Sequence, residues 1–250
     1  GRSAAKLEGF GAAEIVAADV ATAEGCARAL AGVDAAVYTL GLPYTKRDFA
    51  RYPPMMKTCL EAARQAGVKR FLLITNVYPY GRPTTPLVRE DHVRNPCSVK
   101  GEYRKQQEDL VLAANSESLR TVTLRLPNFY GPDALLSLSQ DMFAAARADR
   151  KANLLGPVDL PQEFVFTPDV GPVVADLLAH PEASGAYNFA GPGHVTHRDF
   201  VEQIFRAAGR PKAKYRVAGP TMVSIIALFA SLMRELREMS YLQQTPPLLD

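Results

Sequence analysis

Three charged side chains in the segment Val99–Leu110 have the spacing of one helix face. Lys100 and Arg104 are four residues apart, and Glu108 follows after four more. Residues at positions i and i+4 project from the same side of an α-helix. Two cations one turn apart repel each other, so a bound anion or a functional role explains them better than helix stability does. A solvated basic helix face is the alternative that this segment alone leaves open.

The composition is that of a globular protein. Its 250 residues are 47% hydrophobic and 22% charged, which is enough for a substantial core. The net charge of +3 is small and the basic residues are dispersed, which argues against a nucleic-acid partner. The longest apolar run, Met222–Met233, is about half as long as a membrane span requires. Cys26, Cys59 and Cys97 lack metal-ligand spacing, so we predict reduced thiols, no metal site and a cytoplasmic location.

Short apolar segments alternate with amphipathic ones in the first half of the chain. This alternation predicts an α/β fold with a parallel sheet covered by helices on both faces. The predicted strands are AEIVAADV (ending at Val20), Asp34–Leu40, Arg70–Thr75 and Leu119–Leu126, and the predicted helices are Ala23–Ala31, Pro53–Gly67 and Val99–Asn115.

The residues that follow the predicted strands are suited to ligand binding. Right-handed crossovers bring the carboxyl ends of parallel strands to one edge of the sheet, where ligands bind in such folds. The loop Gly81–Pro96 is too long for a simple connection, so we predict that it is functional or a lid. The residues expected to meet at the edge are Asp19, Gly41, Asn76 and Asn128.

The pattern changes beyond Pro132, where helices are joined by irregular segments and short strands. Thr196 is expected to cap one of these helices, and Asn153–Glu163 to form a loop. The predicted helices are Leu135–Arg150, Pro168–His180, His197–Gly209 and Pro220–Met239, and the predicted strands are Phe164–Thr167 and Ala186–Ala190.

Five segments in order carry a resemblance to a known family. They are TNVYPYG, KGEYRKQQE, RLPNFYGP, FVFTPDVGPVVADLL and AYNFAGPGHVTHRDFVEQI. Together they make the chain resemble the extended short-chain dehydrogenases/reductases, the NAD-dependent epimerase/dehydratase family. The resemblance implies a Rossmann-like doubly wound parallel sheet with a smaller C-terminal substrate domain. It assigns residues 1–131 and 164–190 to the dinucleotide-binding domain, and residues 132–163 and 191–250 to the substrate-binding domain.

The start of the chain departs from this family. Family members begin with a strand and a GxxGxxG loop, whose backbone amides hold the cofactor's pyrophosphate at a helix N-terminus. No such loop occurs in this sequence, which opens on GRSAAKLEG. We therefore expect the first βαβ unit to be missing and the sequence to be a fragment of a longer protein.

The resemblance also implies unusual catalytic residues. Aligning Glu108 with the family's glutamate places Lys100 at the catalytic tyrosine, Arg104 at the catalytic lysine and Asn76 at the catalytic serine or threonine. In the family the tyrosine exchanges a proton with the substrate, and the lysine lowers the phenol pKa and holds the ribose.

These replacements change the expected chemistry. Arg104 can hold a ribose or a phosphate but does not titrate in the useful range. Lys100 could donate a proton instead of the tyrosine. Tyr103 and Tyr80 are the nearest spare phenols, although Tyr103 does not complete a YxxxK motif. The predicted catalytic residues are Lys100, Asn76 and Tyr103.

Further positions match the cofactor-binding residues of the family. Asp19 and Val20 correspond to the adenine contact, although a simple strand-end aspartate is the alternative. Arg2 favours NADP over NAD, because arginine there commonly meets a 2′-phosphate; an exposed terminal arginine is the alternative. The full predicted set is Arg2, Asp19, Val20, Leu40, Gly41, Arg104, Pro127 and Asn128.

Two functions remain open from the sequence. The first is an NAD(P)-dependent oxidoreductase or epimerase acting on a small or nucleotide-linked hydroxyl or carbonyl compound. The second is a catalytically inactive NADP-binding sensor or interaction protein of the same fold, which the loss of the Tyr/Lys pair favours.

We expect a homodimer formed through helices Pro53–Gly67 and Val99–Asn115, and no nucleic-acid or membrane partner. His92, His194 and His197 are interpreted as loop and cap residues, and Tyr78 and Tyr130 as core aromatics.

Overall fold

The computed structural model describes Ser3, Ala5, Gly11 and residues 14–135, 137–226 and 230–250. The strands are β1 Ala35–Tyr38, β2 Arg70–Asn76, β3 Arg120–Leu126, β4 Asn128–Tyr130, β5 Ala152–Leu155, β6 Pro161–Phe166, β7 Gly185–Asn188, β8 His194–Thr196 and β9 Tyr215–Ala218. The helices are α1 Ala23–Leu30, α2 Lys46–Phe49, α3 Tyr52–Gln65, α4 Val99–Ala113, α5 Gln140–Arg147, α6 Thr167–Ala179, α7 His197–Ala207, α8 Pro220–Ile226, α9 Ser231–Glu238 and α10 Tyr241–Gln244.

The main sheet is parallel, with the strand order β1-β2-β3-β7. Strands β2 and β3 are paired along their whole length, from Arg70 opposite Arg120 to Asn76 opposite Leu126. Helices cover both faces, because both faces of β2 and β3 carry apolar side chains. Phe71 packs in the core formed with α1, α3 and α4, whereas Leu72 packs in the core formed with α6. The predicted Rossmann-like doubly wound sheet is thus confirmed.

The start of α4 is fixed by local interactions that also position the site. The Ser98 side chain caps the helix by accepting a hydrogen bond from the Gly101 backbone N–H at 3.0 Å. Gly101 permits a close approach, because a Cβ atom there would lie 3.0 Å from the Tyr78 carbonyl oxygen. Tyr78 begins a short 3-10 helix, Tyr78–Tyr80, directly after β2. The sheet edge and the first turn of α4 are therefore neighbours.

The second half of the chain adds two smaller sheets. Strands β4, β6 and β8 form one, and β5 and β9 form a parallel pair. Helices α5 and α7 pack around them in a core that includes Met142, Phe164 and Phe205. The predicted cap of α7 is confirmed, since the Thr196 side chain accepts a hydrogen bond from the Asp199 backbone N–H at 3.0 Å.

Three predicted elements are wrong. Residues 14–19 of AEIVAADV form no strand, and Ile15 is exposed rather than packed in a sheet. The predicted loop Asn153–Glu163 instead contains most of β5 and the start of β6. The predicted helix Pro220–Met239 is divided into α8 and α9, because Ala230 has an extended backbone that cannot continue a helix; residues 227–229 lie outside the described part. No helix among the described residues has the length and apolar character needed to cross a membrane.

Candidate functional site

A pocket lies at the carboxyl edge of the main sheet. Its floor includes Asn76, which ends β2, and Pro127 and Asn128, which follow β3. The structure therefore brings these three predicted site residues together, as the parallel topology requires. The opposite wall comes from β6, α5 and α7, and the C-terminal segment contributes Leu236 and Met239.

Two phenols line the pocket beside Asn76. The hydroxyls of Tyr44 and Tyr78 are 3.3 Å apart and form a hydrogen bond. The side-chain oxygen of Asn76 accepts a hydrogen bond from the Tyr78 backbone N–H at 3.1 Å, which fixes the turn that carries Tyr78. Burial raises the pKa of both phenols above the ordinary value for tyrosine, so both are protonated at neutral pH. Tyr78 was interpreted from the sequence as a core aromatic, and the structure places it at the pocket instead.

Arg104 lies in a buried position among aromatic rings. Its guanidinium is 4.5 Å from the centre of the Tyr52 ring, and its Nη1 donates a hydrogen bond of 2.8 Å to Gln107. Its Nε has no hydrogen-bond partner, and no carboxylate of the described residues forms a salt bridge with it. Burial lowers the pKa of Arg104 from the ordinary arginine value. The same positive charge opposes the rise in the Tyr78 pKa that burial causes.

Lys100 is buried, but carboxylates surround it. Its Nζ donates a hydrogen bond of 2.7 Å to Glu238 and forms an ion pair with Glu235, both from α9. It also lies 5.0 Å from the centre of the Tyr44 ring. The alternative of a solvated basic face is therefore wrong, because Lys100 and Arg104 are 0% and 7% exposed. Neither Lys100 nor Arg104 is among the residues that line the pocket, where the phenols of Tyr44 and Tyr78 lie.

The remaining candidates of the α4 region are not brought into the pocket. Glu108 is fully buried and forms ion pairs with Arg125 and Arg94. The Tyr80 hydroxyl donates a hydrogen bond of 2.7 Å to Asn188 and contacts Arg125, so it belongs to the same network. Tyr103 is half-buried and does not line the pocket.

The predicted cofactor positions are only partly brought together. Leu40 and Gly41 follow β1 and share the sheet edge with the ends of β2 and β3. Asp19 and Val20 lie before α1, where the Asp19 carboxylate accepts a hydrogen bond from the Ala21 backbone N–H at 3.0 Å. Arg2 lies outside the described residues. The roles of all these residues stay predictions.

Sequence reasoning missed two polar residues on the opposite wall of the pocket. Gln162 on β6 is 1% exposed, and its Nε2 has no hydrogen-bond partner. His197 at the start of α7 is also buried, and its Nδ1 lacks a partner. Burial lowers the pKa of His197 to about 4, so its ring is neutral at pH 7. The signal in the sequence was a glutamine inside the apolar strand PQEFVF; nothing local marked His197 as more than a cap residue.

Comparison with known proteins identifies the cofactor class. A sequence model described as NAD(P)H-binding matches residues 1–127, which is half of the chain. The chain belongs to this NAD(P)H-binding family. The predicted nicotinamide cofactor, NADP or NAD, is thereby confirmed. A search of curated proteins found no match.

Solved structures share the fold at low sequence identity. One is the dTDP-glucose 4,6-dehydratase DesIV from Streptomyces venezuelae with NAD and TYD bound: identity 23%, TM-score 0.71, covering 82% of this chain and 66% of that chain. RMD from Pseudomonas aeruginosa complexed with NADPH has 22% identity and a TM-score of 0.69, covering 80% of this chain and 75% of that one. UDP-N-acetylglucosamine 4-epimerase from Bacillus cereus has 18% identity and a TM-score of 0.69, and the match covers 90% of this chain and 82% of that chain. This chain spans about two thirds of the length of DesIV. The resemblance noted from the sequence is confirmed at the level of the fold.

Proposed function

We propose that this chain is part of an NAD(P)-dependent oxidoreductase or epimerase that acts on a hydroxyl or carbonyl group at the carboxyl edge of the sheet. The observation that carries this proposal is the phenol pair Tyr44–Tyr78, which lines the pocket and lies close to the buried cation of Arg104. NAD(P), when bound, supplies the hydride transfer. The dehydratase and epimerase structures that share the fold support this class of reaction.

The residues at the sheet edge fit a nicotinamide dinucleotide. The Arg104 Nε and the Tyr38 hydroxyl are buried without hydrogen-bond partners. Buried polar groups are normally satisfied, so a bound group rich in oxygen acceptors, such as a ribose or a phosphate, fits this position. Leu40, Gly41 and Asn128 would contact the cofactor along the same edge. The domain division at about residue 131 stays part of this proposal.

The phenol pair is our candidate for proton transfer. Tyr78 or Tyr44 can donate its proton to the substrate oxygen and recover one from the other hydroxyl at 3.3 Å. The charge of Arg104 stabilises the phenolate that remains, because a nearby cation favours the ionised form of an acid. Asn76 acts as a positioning residue through its hydrogen bond to the Tyr78 backbone. Lys100 stays a predicted donor, and its Nζ forms ion pairs with Glu235 and Glu238.

The test uses conservative variants in an assay of NADPH consumption with a panel of carbonyl compounds. Tyr78→Phe should lower turnover by roughly 10²–10⁴-fold, the loss typical of an acid/base group, while NADPH affinity stays unchanged. Tyr103→Phe is the matched control, since Tyr103 is outside the pocket, and should retain full turnover. Full turnover in both Tyr78→Phe and Tyr44→Phe would exclude the phenol pair.

An inactive NADP-binding sensor is the second candidate. The observation that favours it is the pairing of Lys100, at the position of the family's tyrosine, with Glu235 and Glu238. NADPH binding measured by calorimetry, together with no turnover of any carbonyl or alcohol in the panel, would support the sensor.

We also propose a cytoplasmic location, supported by three free thiols, of which Cys97 is exposed.

A further inference from the structure

Among the described residues that line the pocket there is no lysine or arginine, and Glu163 is the one acidic side chain. His197 is neutral at pH 7. Lys100 and Arg104 lie outside the lining. Proteins that bind phosphate groups use arginine, lysine or a helix N-terminus to form charge-assisted hydrogen bonds. The walls therefore offer no side-chain charge to compensate a diphosphate.

The carboxylate of Glu163 strengthens this argument. It is 2% exposed and accepts hydrogen bonds from the Gly191 backbone N–H at 2.6 Å and the Leu249 backbone N–H at 2.7 Å. Each oxygen thus accepts one backbone hydrogen bond. Burial raises the pKa of this carboxyl group above its ordinary value, and its ionised form disfavours an anion in the same pocket. Glu163 joins the C-terminal segment to the wall of the pocket instead of binding a substrate.

Two neutral polar groups on this wall still need partners. The Gln162 Oε1 accepts a hydrogen bond from the Asn128 amide at 3.3 Å, which leaves the Gln162 Nε2 as a free donor. The His197 Nδ1 is also buried without a partner. A buried polar group without a hydrogen bond is unfavourable by about 1–3 kcal/mol, so a ligand that satisfies these atoms gains that energy.

Much of the remaining lining is apolar, with side chains from Met142, Phe164, Leu236, Met239 and Leu242, and Ser137, Ser139 and Gln243 add polar groups. The pocket is open to solvent on one side, and its cavity volume is about 130 Å³. A cavity of roughly 150 Å³ holds a molecule of the size of benzene, so this pocket fits a single ring or a short aliphatic chain. A nucleotide joined to a sugar is several times larger.

We propose that the substrate is a small uncharged carbonyl or alcohol with an apolar body, held by Gln162 and His197, rather than a nucleotide-diphosphate sugar. This inference rests on the proposed function and assigns its substrate class. The substrate oxygen would accept one hydrogen bond from the Gln162 Nε2 and one from a hydroxyl of the phenol pair, while the apolar side chains of the pocket contact its hydrocarbon part.

The experiment measures binding to the full chain in the presence of NADPH by saturation-transfer NMR, independently of turnover. The probes are cyclohexanone, cyclohexanol and UDP-glucose. We expect cyclohexanone and cyclohexanol to bind and UDP-glucose to fail at the same concentration. Binding of UDP-glucose with higher affinity than cyclohexanone would overturn the inference, and this comparison requires no variant.

Variants then test the two polar residues. Gln162→Met, which keeps the side-chain length, and His197→Phe should each weaken cyclohexanone binding about tenfold, as loss of one buried hydrogen bond predicts. His194→Phe is the matched control, because His194 is exposed and outside the pocket. Unchanged affinity in both pocket variants, with folding verified by circular dichroism, would contradict the assignment. Intact cyclohexanone binding without any turnover would overturn the proposed function and leave this inference standing.

Discussion

The effect of Arg104 on stability can be measured separately from its predicted effect on cofactor binding. A cation in the interior without a carboxylate partner is unfavourable, and its replacement by an apolar side chain of similar shape is often neutral or stabilising. Arg104 packs on the Tyr52 ring, which an aliphatic side chain can also cover. The predicted cofactor contact would give the unpartnered Nε of Arg104 a hydrogen-bond acceptor.

We therefore predict opposite effects for Arg104→Met. The free energy of unfolding should stay the same or rise by about 1–2 kcal/mol, while NADPH affinity falls at least tenfold. Urea unfolding and calorimetric titration measure the two quantities. The comparison variant is Arg125→Met, which leaves the buried Glu108 without its main partner and should lower stability by about 3–5 kcal/mol. Equal destabilisation by both variants would show that Arg104 has a structural role.

His197 gives a prediction of pH dependence. Burial lowers its pKa from the ordinary histidine value of 6.5 to about 4. Between these two pH values the unfolded chain binds a proton that the folded chain does not, so stability is fully present above pH 6.5 and falls as the pH drops to 4. The loss should be about 3 kcal/mol. Denaturant unfolding at a series of pH values should show a flatter slope for His197→Phe, whereas His194→Phe keeps the original slope.

The sequence could predict that Lys100, Arg104 and Glu108 share one helix face, and all three are buried in α4. It could not predict their partners. Glu238 is 138 residues from Lys100, and contacts over that separation depend on tertiary packing that no local spacing encodes. The same reason explains why Gln162 and His197 were missed: their significance lies in atoms left without partners once the pocket has formed.

At the scale of elements, the sequence correctly predicted a helix cap and the two strands with strongly apolar patterns. Thr196 caps α7 as expected, and β2 and β3 lie within two residues of their predicted bounds. The segment AEIVAADV failed because an apolar pattern describes a strand only when a neighbour pairs with it. Strand β5 was missed because its pairing with β9 joins residues about 60 apart.

The C-terminal segment 231–250, which we call the roof, contributes several of the residues that line the pocket. Two of its side chains, Glu235 and Glu238, form ion pairs with Lys100. Removing both carboxylates in a Glu235→Gln, Glu238→Gln variant should raise KM for a carbonyl substrate about tenfold, with kcat nearly unchanged, because the roof closes less often. Steady-state kinetics test this, and Glu202→Gln on the exposed part of α7 is the control. A fall in kcat without a change in KM would instead favour Lys100 as the proton donor.

At the scale of the whole molecule, cofactor binding should stabilise the fold. A ligand present at 100 times its Kd adds about 2.7 kcal/mol. We expect NADPH to raise the melting temperature more than NADH does, and Arg2→Ala to remove this difference. Thermal unfolding with each cofactor provides the measurement. Equal shifts with both cofactors in the original chain would argue against the predicted role of Arg2.

The predicted homodimer stays a prediction, and several apolar side chains of its two helices cannot contribute to the interface. Met56, Leu60, Ala63 and Ala114 are buried in the core of the single chain and are not available to a partner. The exposed faces of α3 and α4, which a second copy would contact, carry mainly polar side chains together with Pro54, Val99 and Ala113. Light scattering at micromolar concentration decides between monomer and dimer.

The way the roof is attached has a kinetic consequence. No residue of α9 is buried, whereas α4 beneath it is anchored by Arg104, Glu108 and Val111 in the interior. Elements that bury few side chains open at a lower free energy than the rest of a protein. Helix α9 should therefore detach while the sheet stays folded, and its amide protons should exchange with solvent long before those of β2 and β3. The rate at which a molecule enters or leaves the pocket is then set by this local unfolding, so residence time would respond to mild denaturant at concentrations that leave the global fold intact.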